Sequence, residues 1–185
     1  SRHDMVLGAA TFYSQSAPPP GWQLPLYLLP PTGPVALPSS LQYRNIGQVR
    51  NQGIETSIDA QASRYVHVFA NYSWQKKPLP KDFDISLINL PPTHRFNAGL
   101  SFDYKRVTGD VSVGYTSKAY FRDILTYTGW TKDFTVVNAG FGVRIAGDNV
   151  VLLVKAMNLG NQPVQNHIFG DLLKRQFAAE LRLKM

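Results

Sequence analysis

Apolar and polar residues alternate along most of the chain, which is the period-two pattern of a β-strand with one apolar face. In residues 53–62, for example, Ile54 and Ile58 lie on one side of the predicted strand, and Glu55 and Asp59 lie on the other. A helical period would mix these two sets. The pattern predicts no helix and about eight strands of about ten residues each, at 5–13, 53–62, 65–75, 95–104, 111–116, 137–145, 150–156 and 177–185.

The connections between these strands alternate in length. Short links are predicted at 63–64, 105–109 and 146–149, and long links at 14–40, 76–91, 119–132 and 160–172. Because successive antiparallel strands reverse direction, this order places the long loops at one end of the sheet and the short turns at the other. Outer-membrane barrels sort their connections in this way, with long external loops and short periplasmic turns.

The apolar side of the predicted sheet has the character of a lipid-facing surface. Tyr72, Trp74, Tyr104 and Tyr115 lie near strand ends, as in the aromatic girdles of membrane barrels. Hydrocarbon offers no hydrogen bonds, so a sheet that spans a membrane must pair its strands into a closed wall. The fold class predicted is all-β: a segment of an antiparallel transmembrane β-barrel, with about eight strands, in the outer membrane of a bacterium.

Composition narrows the function classes. The chain has 185 residues, a net charge of +7 and no cysteine, which excludes a disulfide scaffold, a thiolate zinc site and a cysteine nucleophile. Its basic residues are scattered, so we expect no nucleic-acid partner. The four histidines show no spacing typical of paired metal ligands, and no Ser-His-Asp arrangement is legible. We therefore expect no metal, no cofactor and no enzymatic activity.

Several short motifs occur in the order found in TonB-dependent outer-membrane receptors. Residues 43–55, with Tyr-Arg-Asn-Ile-Gly and then Asn-Gln-Gly-Ile-Glu, resemble a long descending strand of that family, and Asn-Tyr-Ser-Trp at 71–74 resembles the ascending strand that follows. Pro-Pro-Thr-His-Arg-Phe-Asn at 91–97 is similar to its Pro-x-His segment. Lys-Ala-Met-Asn-Leu at 155–159 resembles its penultimate strand, and the alternating tail resembles its closing strand.

The resemblance implies that residues 1–185 are the C-terminal part of a receptor barrel. Such receptors carry an N-terminal plug inside a barrel of about 22 strands, and 185 residues are too few for both. We therefore expect a fragment without the plug. The implied function is TonB-dependent uptake of a siderophore, a carbohydrate or a similar nutrient. The implied partners are membrane lipid, the plug domain, the remaining strands, a small-molecule ligand, and the TonB complex through the missing N-terminal part.

Two sets of residues are candidates for function. In a receptor, the polar wall residues Glu55, Asp59, Arg95 and Arg144 would face the lumen and the plug. Aromatic and basic residues of the long loops would stack on or hydrogen-bond a sugar or a chelate, although plain loop packing also accounts for them. These ligand-binding candidates are Trp22, Tyr27, Arg122, Tyr127 and Trp130.

Two other interpretations remain open at this stage. A self-contained eight-stranded barrel, acting as an adhesin or a structural anchor, requires residues 5–13 to pair with 177–184. A soluble β-sandwich that binds carbohydrate requires the apolar face to pack against a second layer of protein.

Overall fold

The computed structural model describes residues 2–30, 33, 35–122, 127–146 and 149–184. Its strands, in chain order, are β1 (Arg2–Phe12), β2 (Pro38–Arg50), β3 (Gly53–Ser63), β4 (Val66–Gln75), β5 (Leu79–Lys81), β6 (His94–Tyr104), β7 (Val107–Thr116), β8 (Tyr120–Arg122), β9 (Thr128–Trp130), β10 (Phe134–Arg144), β11 (Val150–Met157) and β12 (Gln176–Leu183). Within the described residues, the only helical elements are two single 3-10 turns, Leu26–Leu28 and Ile85–Leu87. The chain is therefore all-β, as predicted.

The chain divides into two compact units. The smaller contains Ser1–Arg50, Pro78–Ile88 and Arg122–Thr128, and the larger contains Asn51–Lys77, Asn89–Phe121 and Gly129–Met185.

The smaller unit is built on a three-stranded antiparallel sheet in the order β1-β2-β5. Its buried apolar side chains include Leu29, Val49 and Ile88. Gly47 has a φ of +134°, and a Cβ atom there would lie 2.6 Å from the carbonyl oxygen of Lys81 on β5. Only glycine therefore fits at this point, where the register of β1 against β2 also shifts.

The larger unit is a seven-stranded antiparallel sheet in the order β12-β11-β10-β7-β6-β4-β3. Apart from the short β5, β8 and β9, this order follows the chain, so each of the seven strands pairs with the next of them in sequence. The resemblance of residues 43–55 predicts one long descending strand, which would join β2 and β3. That prediction was wrong in detail, because the strand is interrupted at Asn51–Gln52 and β2 pairs with β1 whereas β3 pairs with β4.

The register of the seven strands separates two faces. Leu100 on β6 pairs with Val68 on β4 and Val111 on β7, whereas its neighbour Ser101 pairs with His67 and Asp110. Directly paired residues point to the same side of a sheet, so most of the apolar residues of the seven strands share one face. The predicted alternation is thereby confirmed.

Among the described residues of the larger unit, no second layer covers the apolar face of the sheet. Ile58, Phe177 and Leu181 are 66%, 67% and 58% exposed. A sandwich core would bury these side chains, so the soluble β-sandwich interpretation is wrong for this sheet.

The connections of the larger unit alternate as predicted. Short turns join β3 to β4, β6 to β7 and β10 to β11, and long segments join β4 to β6, β7 to β10 and β11 to β12. Some boundaries differ, since β7 begins at Val107 rather than 111 and β10 begins at Phe134 rather than 137. The long segments also contain β5, β8 and β9, which are too short to show a period in the sequence.

The pairing that would close an eight-stranded barrel is not found among the described strands. β1 pairs with β2, and β12 pairs with β11. The larger sheet thus ends at β3 on one side and at β12 on the other. The self-contained barrel interpretation loses the contact on which it depended, and the sheet has the form of an open barrel segment.

One buried side chain organises the loop that follows β11. Asn158 has a φ of +53°, and only 5% of it is exposed. Its Nδ2 donates to the carbonyl oxygen of Gln162 at 2.7 Å, and its Oδ1 accepts from the backbone N–H of Gln162 at 3.2 Å. Its own backbone N–H donates to Oδ1 of Asn138 on β10 at 3.0 Å. The loop is therefore anchored to the sheet where it begins.

Leu100→Arg is expected to lower the free energy of unfolding of the protein in phospholipid vesicles by about 2–4 kcal/mol, because it places a cation mid-strand on the apolar face. Ser101→Arg, one residue further on the polar face, should change it by less than about 1 kcal/mol. Urea titration followed by tryptophan fluorescence measures both values. Equal losses in the two variants would contradict the assignment of the faces.

Asn158→Gly keeps a residue that tolerates positive φ but removes both side-chain hydrogen bonds to Gln162. It should lower the free energy of unfolding by about 1–3 kcal/mol, because two partly buried hydrogen bonds worth about 0.5–1.5 kcal/mol each are lost. Limited proteolysis should cleave the 158–175 loop faster than in the wild type. Asn166→Gly, an exposed position in the same loop, is the matched control, and cleavage at the same rate in both variants would contradict the anchoring role.

Candidate functional site

The four predicted wall residues lie on the polar face of the seven-stranded sheet. Glu55 pairs with Ser73, Ser73 with Arg95, and Arg95 with Thr116, so these residues form one row across four strands. Ser73 donates its hydroxyl to Oε1 of Glu55 at 3.3 Å. Arg95 is exposed in this row.

Asp59 lies further along β3 on the same face. Its Oδ1 is 2.8 Å from Nε2 of His67 on β4. Both side chains are accessible to solvent, so this contact holds the edge strand only weakly to its neighbour.

Arg144 links the short-turn ends of β10 and β6. Its Nη1 and Nη2 donate to the two carboxylate oxygens of Asp103 at 2.8 and 2.6 Å, and Nη1 also donates to the carbonyl oxygen of Lys105 at 2.9 Å. A guanidinium in this forked arrangement is geometrically fixed. Arg144 is therefore a structural residue of the wall, as well as a member of its polar face.

A hollow of about 860 Å³ lies beside Arg144 at the short-turn end of β10, β11 and β12, and it is lined by Thr108, Arg144, Val151, Leu153, Lys155, Leu181, Arg182, Leu183 and Lys184. Arg182 is paired with Glu180 at 2.6 Å.

Within the described ranges no group of three or more His, Asp or Glu side chains is placed to hold a metal ion. The wall offers paired charges and amides, an arrangement that suits contact with another polar surface.

An exposed aromatic and cationic surface lies at the opposite, long-loop end of the sheet. The rings of Tyr120 and Trp130 are 5.3 Å apart, and Nζ of Lys118 lies 5.1 Å from the centre of the Trp130 ring. The base of this segment is held by the backbone N–H of Thr131, which donates to the carbonyl oxygen of Ala119 at 2.9 Å. Trp130 is 54% exposed, so its ring is available to a ligand.

The loop between β11 and β12 packs against the same segment. The ring of His167 lies 4.6 Å from that of Phe121 and 6.1 Å from that of Phe169, which is 64% exposed. We call Lys118, Tyr120, Phe121, Trp130, His167 and Phe169 the loop cluster. Of these, sequence reasoning proposed only Trp130, because the others come together through contacts between distant parts of the chain.

The other predicted loop residues belong to the smaller unit. Trp22 is only half-buried, and its indole Nε1 is enclosed without a hydrogen-bond partner among the described residues. Tyr27 lies on the first 3-10 turn and is 68% exposed, and Tyr127 is 65% exposed. Arg122 ends β8 with a partly exposed side chain.

In the part of the chain that the structure describes, no helix has the length and apolar character needed to cross a membrane.

Comparisons with known proteins give a family and a fold. The model of the family described as TonB dependent receptor-like, beta-barrel matches residues 13–159. No curated protein sequence matches the chain.

Solved receptors share the fold. A mutant of the ferric enterobactin receptor PfeA from Pseudomonas aeruginosa superimposes with a TM-score of 0.60 at 13% identity, covering 97% of this chain and 27% of that one. Another mutant of that receptor, in complex with enterobactin, gives the same values. The ferric-catecholate import receptor Fiu from E. coli K12 gives a TM-score of 0.56 at 16% identity, covering 74% of this chain and 20% of that one. The chain thus spans about a quarter of the length of these solved receptors.

The family match extends over most of the chain, from the first long loop to the end of β11, and the open antiparallel sheet with one apolar face is consistent with a segment of such a barrel. The chain therefore belongs to the TonB-dependent receptor-like β-barrel family.

Proposed function

We propose that this chain forms the C-terminal barrel portion of an outer-membrane receptor that imports an anionic ferric siderophore of the catecholate type. The observation that carries the proposal is the loop cluster, in which exposed rings and a cation are presented together at the long-loop end of a lipid-facing sheet.

The exposed apolar face supports placement in the bacterial outer membrane. Exposure of the large aliphatic and aromatic side chains of this face to water would be unfavourable in free energy. Contact with lipid acyl chains would shield these side chains from water. The family match supports the same placement, since the solved neighbours are a ferric enterobactin receptor and a ferric-catecholate import receptor. Membrane lipid is then the partner of the apolar face, and the long loops face the exterior.

The chemistry of the loop cluster supports the class of ligand. Catecholate complexes of iron combine negative charge with flat aromatic rings. Lys118 offers a cation, and Trp130 and Tyr120 offer ring faces for stacking. An uncharged carbohydrate would use the rings but not the cation, so the cluster favours the siderophore over the sugar.

The polar face supports a plug as its partner. Glu55, Asp59, Arg95 and Arg144 line a wall that would be costly to bury against an apolar surface, but a polar domain inside the complete barrel would satisfy it. In the complete receptor this domain and the remaining strands lie outside residues 1–185, and contact with the TonB complex is made by the N-terminal part. The role of this chain is then capture and passage of a ligand, without catalysis.

Trp130→Ala and Lys118→Gln in the full-length receptor are each expected to weaken binding of a ferric tris-catecholate complex by about five- to tenfold, because each removes one stacking or charge contact worth about 1 kcal/mol. Equilibrium binding in detergent measures the affinity. Trp74→Phe, on the apolar face, and Lys174→Gln, in the loop after β11, are the matched controls and should bind as the wild type does.

Unchanged affinity in both loop-cluster variants would contradict the assignment of the site. Tighter binding of an uncharged oligosaccharide than of the ferric catecholate would contradict the class of ligand, with the receptor assignment left in place.

A further inference from the structure

Two neighbouring short turns at the end opposite the loop cluster carry a second group of rings and cations. One turn joins β3 to β4 and contains Arg64 and Tyr65, and the other joins β6 to β7 and contains Lys105. The backbone N–H of Asp103 donates to the carbonyl oxygen of Tyr65 at 2.9 Å, which holds the two turns side by side.

The rings form a fixed pair with a cation on each. Tyr65 and Tyr104 meet edge to face, with ring centres 4.8 Å apart and planes at 89°. Cζ of Arg64 lies 4.7 Å from the centre of the Tyr65 ring, and Nζ of Lys105 lies 5.0 Å from the centre of the Tyr104 ring. The rings are 36% and 42% exposed, so this turn cluster of four residues forms a surface and not a core.

Within the described ranges, no carboxylate forms an ion pair with either of the two cations, Arg64 and Lys105. The carboxylate nearest in sequence to Lys105 is that of Asp103. It lies on the polar face and forms an ion pair with Arg144. Tyr104 lies on the apolar face, opposite Val107. Positive charge is therefore concentrated at the rim of the apolar face.

The position of the turn cluster indicates what neutralises it. Val66 and Phe102 pair directly above the turns on the apolar face, so the rings continue the lipid-facing surface to its end. Tyrosine rings at such an edge lie at the depth of lipid headgroups, and a headgroup phosphate accepts hydrogen bonds from arginine and lysine. An anionic headgroup adds a net charge that two unpaired cations attract.

We propose that Arg64, Tyr65, Tyr104 and Lys105 bind the headgroup of an anionic phospholipid in the leaflet at the short-turn end. The phosphate lies between the two cations, and the acyl chains run along the apolar face past Val66 and Phe102. This site rests on the membrane placement of the sheet and is independent of the ligand of the loop cluster.

The test uses the full-length receptor, stripped of lipid in an uncharged detergent. Native mass spectrometry measures binding of phosphatidylglycerol, of phosphatidylcholine with the same acyl chains, and of phosphatidylglycerol in competition with inorganic phosphate. The wild type should bind phosphatidylglycerol about tenfold more tightly than phosphatidylcholine, and the double variant Arg64→Gln with Lys105→Gln should lose that preference.

Matched variants separate the site from general charge and from folding. Arg64→Lys with Lys105→Arg keeps both charges and should retain the preference, and Lys118→Gln with Lys174→Gln, at the other end of the sheet, should leave it unchanged. Heat-modifiable migration on gels checks assembly. Should the double variant fail to assemble, Arg64→Gln and Lys105→Gln are measured singly, and each should reduce the preference about threefold.

Equal binding of phosphatidylglycerol by the double variant and the wild type would overturn the proposal. Equal binding of the two lipids by the wild type would also overturn it. Displacement of phosphatidylglycerol by inorganic phosphate at similar concentration would overturn it as well, because the site would then bind a free anion. Binding of the ferric catecholate should be the same in all turn variants, so a failure here is distinguishable from a failure of the receptor assignment.

Discussion

Hydrogen bonding between neighbouring strands is the constraint on which the larger unit depends. Each strand of the seven pairs in register with the next one along the chain, so the backbone polar groups of the inner strands are satisfied within the sheet. Hydrocarbon cannot satisfy such groups, and this pairing is what permits a sheet to face lipid. The same register assigns every side chain to one of two faces. The hydrogen bonds between strands therefore determine both the apolar surface and the polar wall.

The alternation of short and long connections also gives the two ends of the sheet different side-chain surfaces. The short turns leave little chain to fold, so Arg64 and Lys105 remain at the rim beside their tyrosines. The long segments have enough chain to pack on one another, and Phe121 meets His167 across them. The loop cluster is therefore assembled at one end, and the turn cluster at the other.

The strands of the larger unit could be predicted from the sequence, because the face on which each side chain lies follows from its position in the local alternation. Alternation in residues 95–104, for example, places Leu100 and Ser101 on opposite faces before any partner is known, and the register agrees. Strand β2 was not identified as a separate element, since its polar residues and the register shift beside Gly47 interrupt the period. The contacts of Lys118 with Trp130 and of Phe121 with His167 join residues 12 and 46 positions apart, so no local pattern encodes them. For the wall residues, the shared face was predictable, but the bonds of Arg144 to Asp103 and Lys105 were not.

The strict pairing of the sheet divides the chain into parts that tolerate length changes and parts that do not. One residue added inside β6 would invert the facing of every side chain after it up to the next loop, whereas residues added between β11 and β12 would leave the wall as it is. Insertions and deletions are thus tolerated in the long segments, where they alter the loops and leave the register of the wall unchanged. The superposition on a solved receptor at 13% identity shows that this pairing of strands is compatible with wide variation in the side chains.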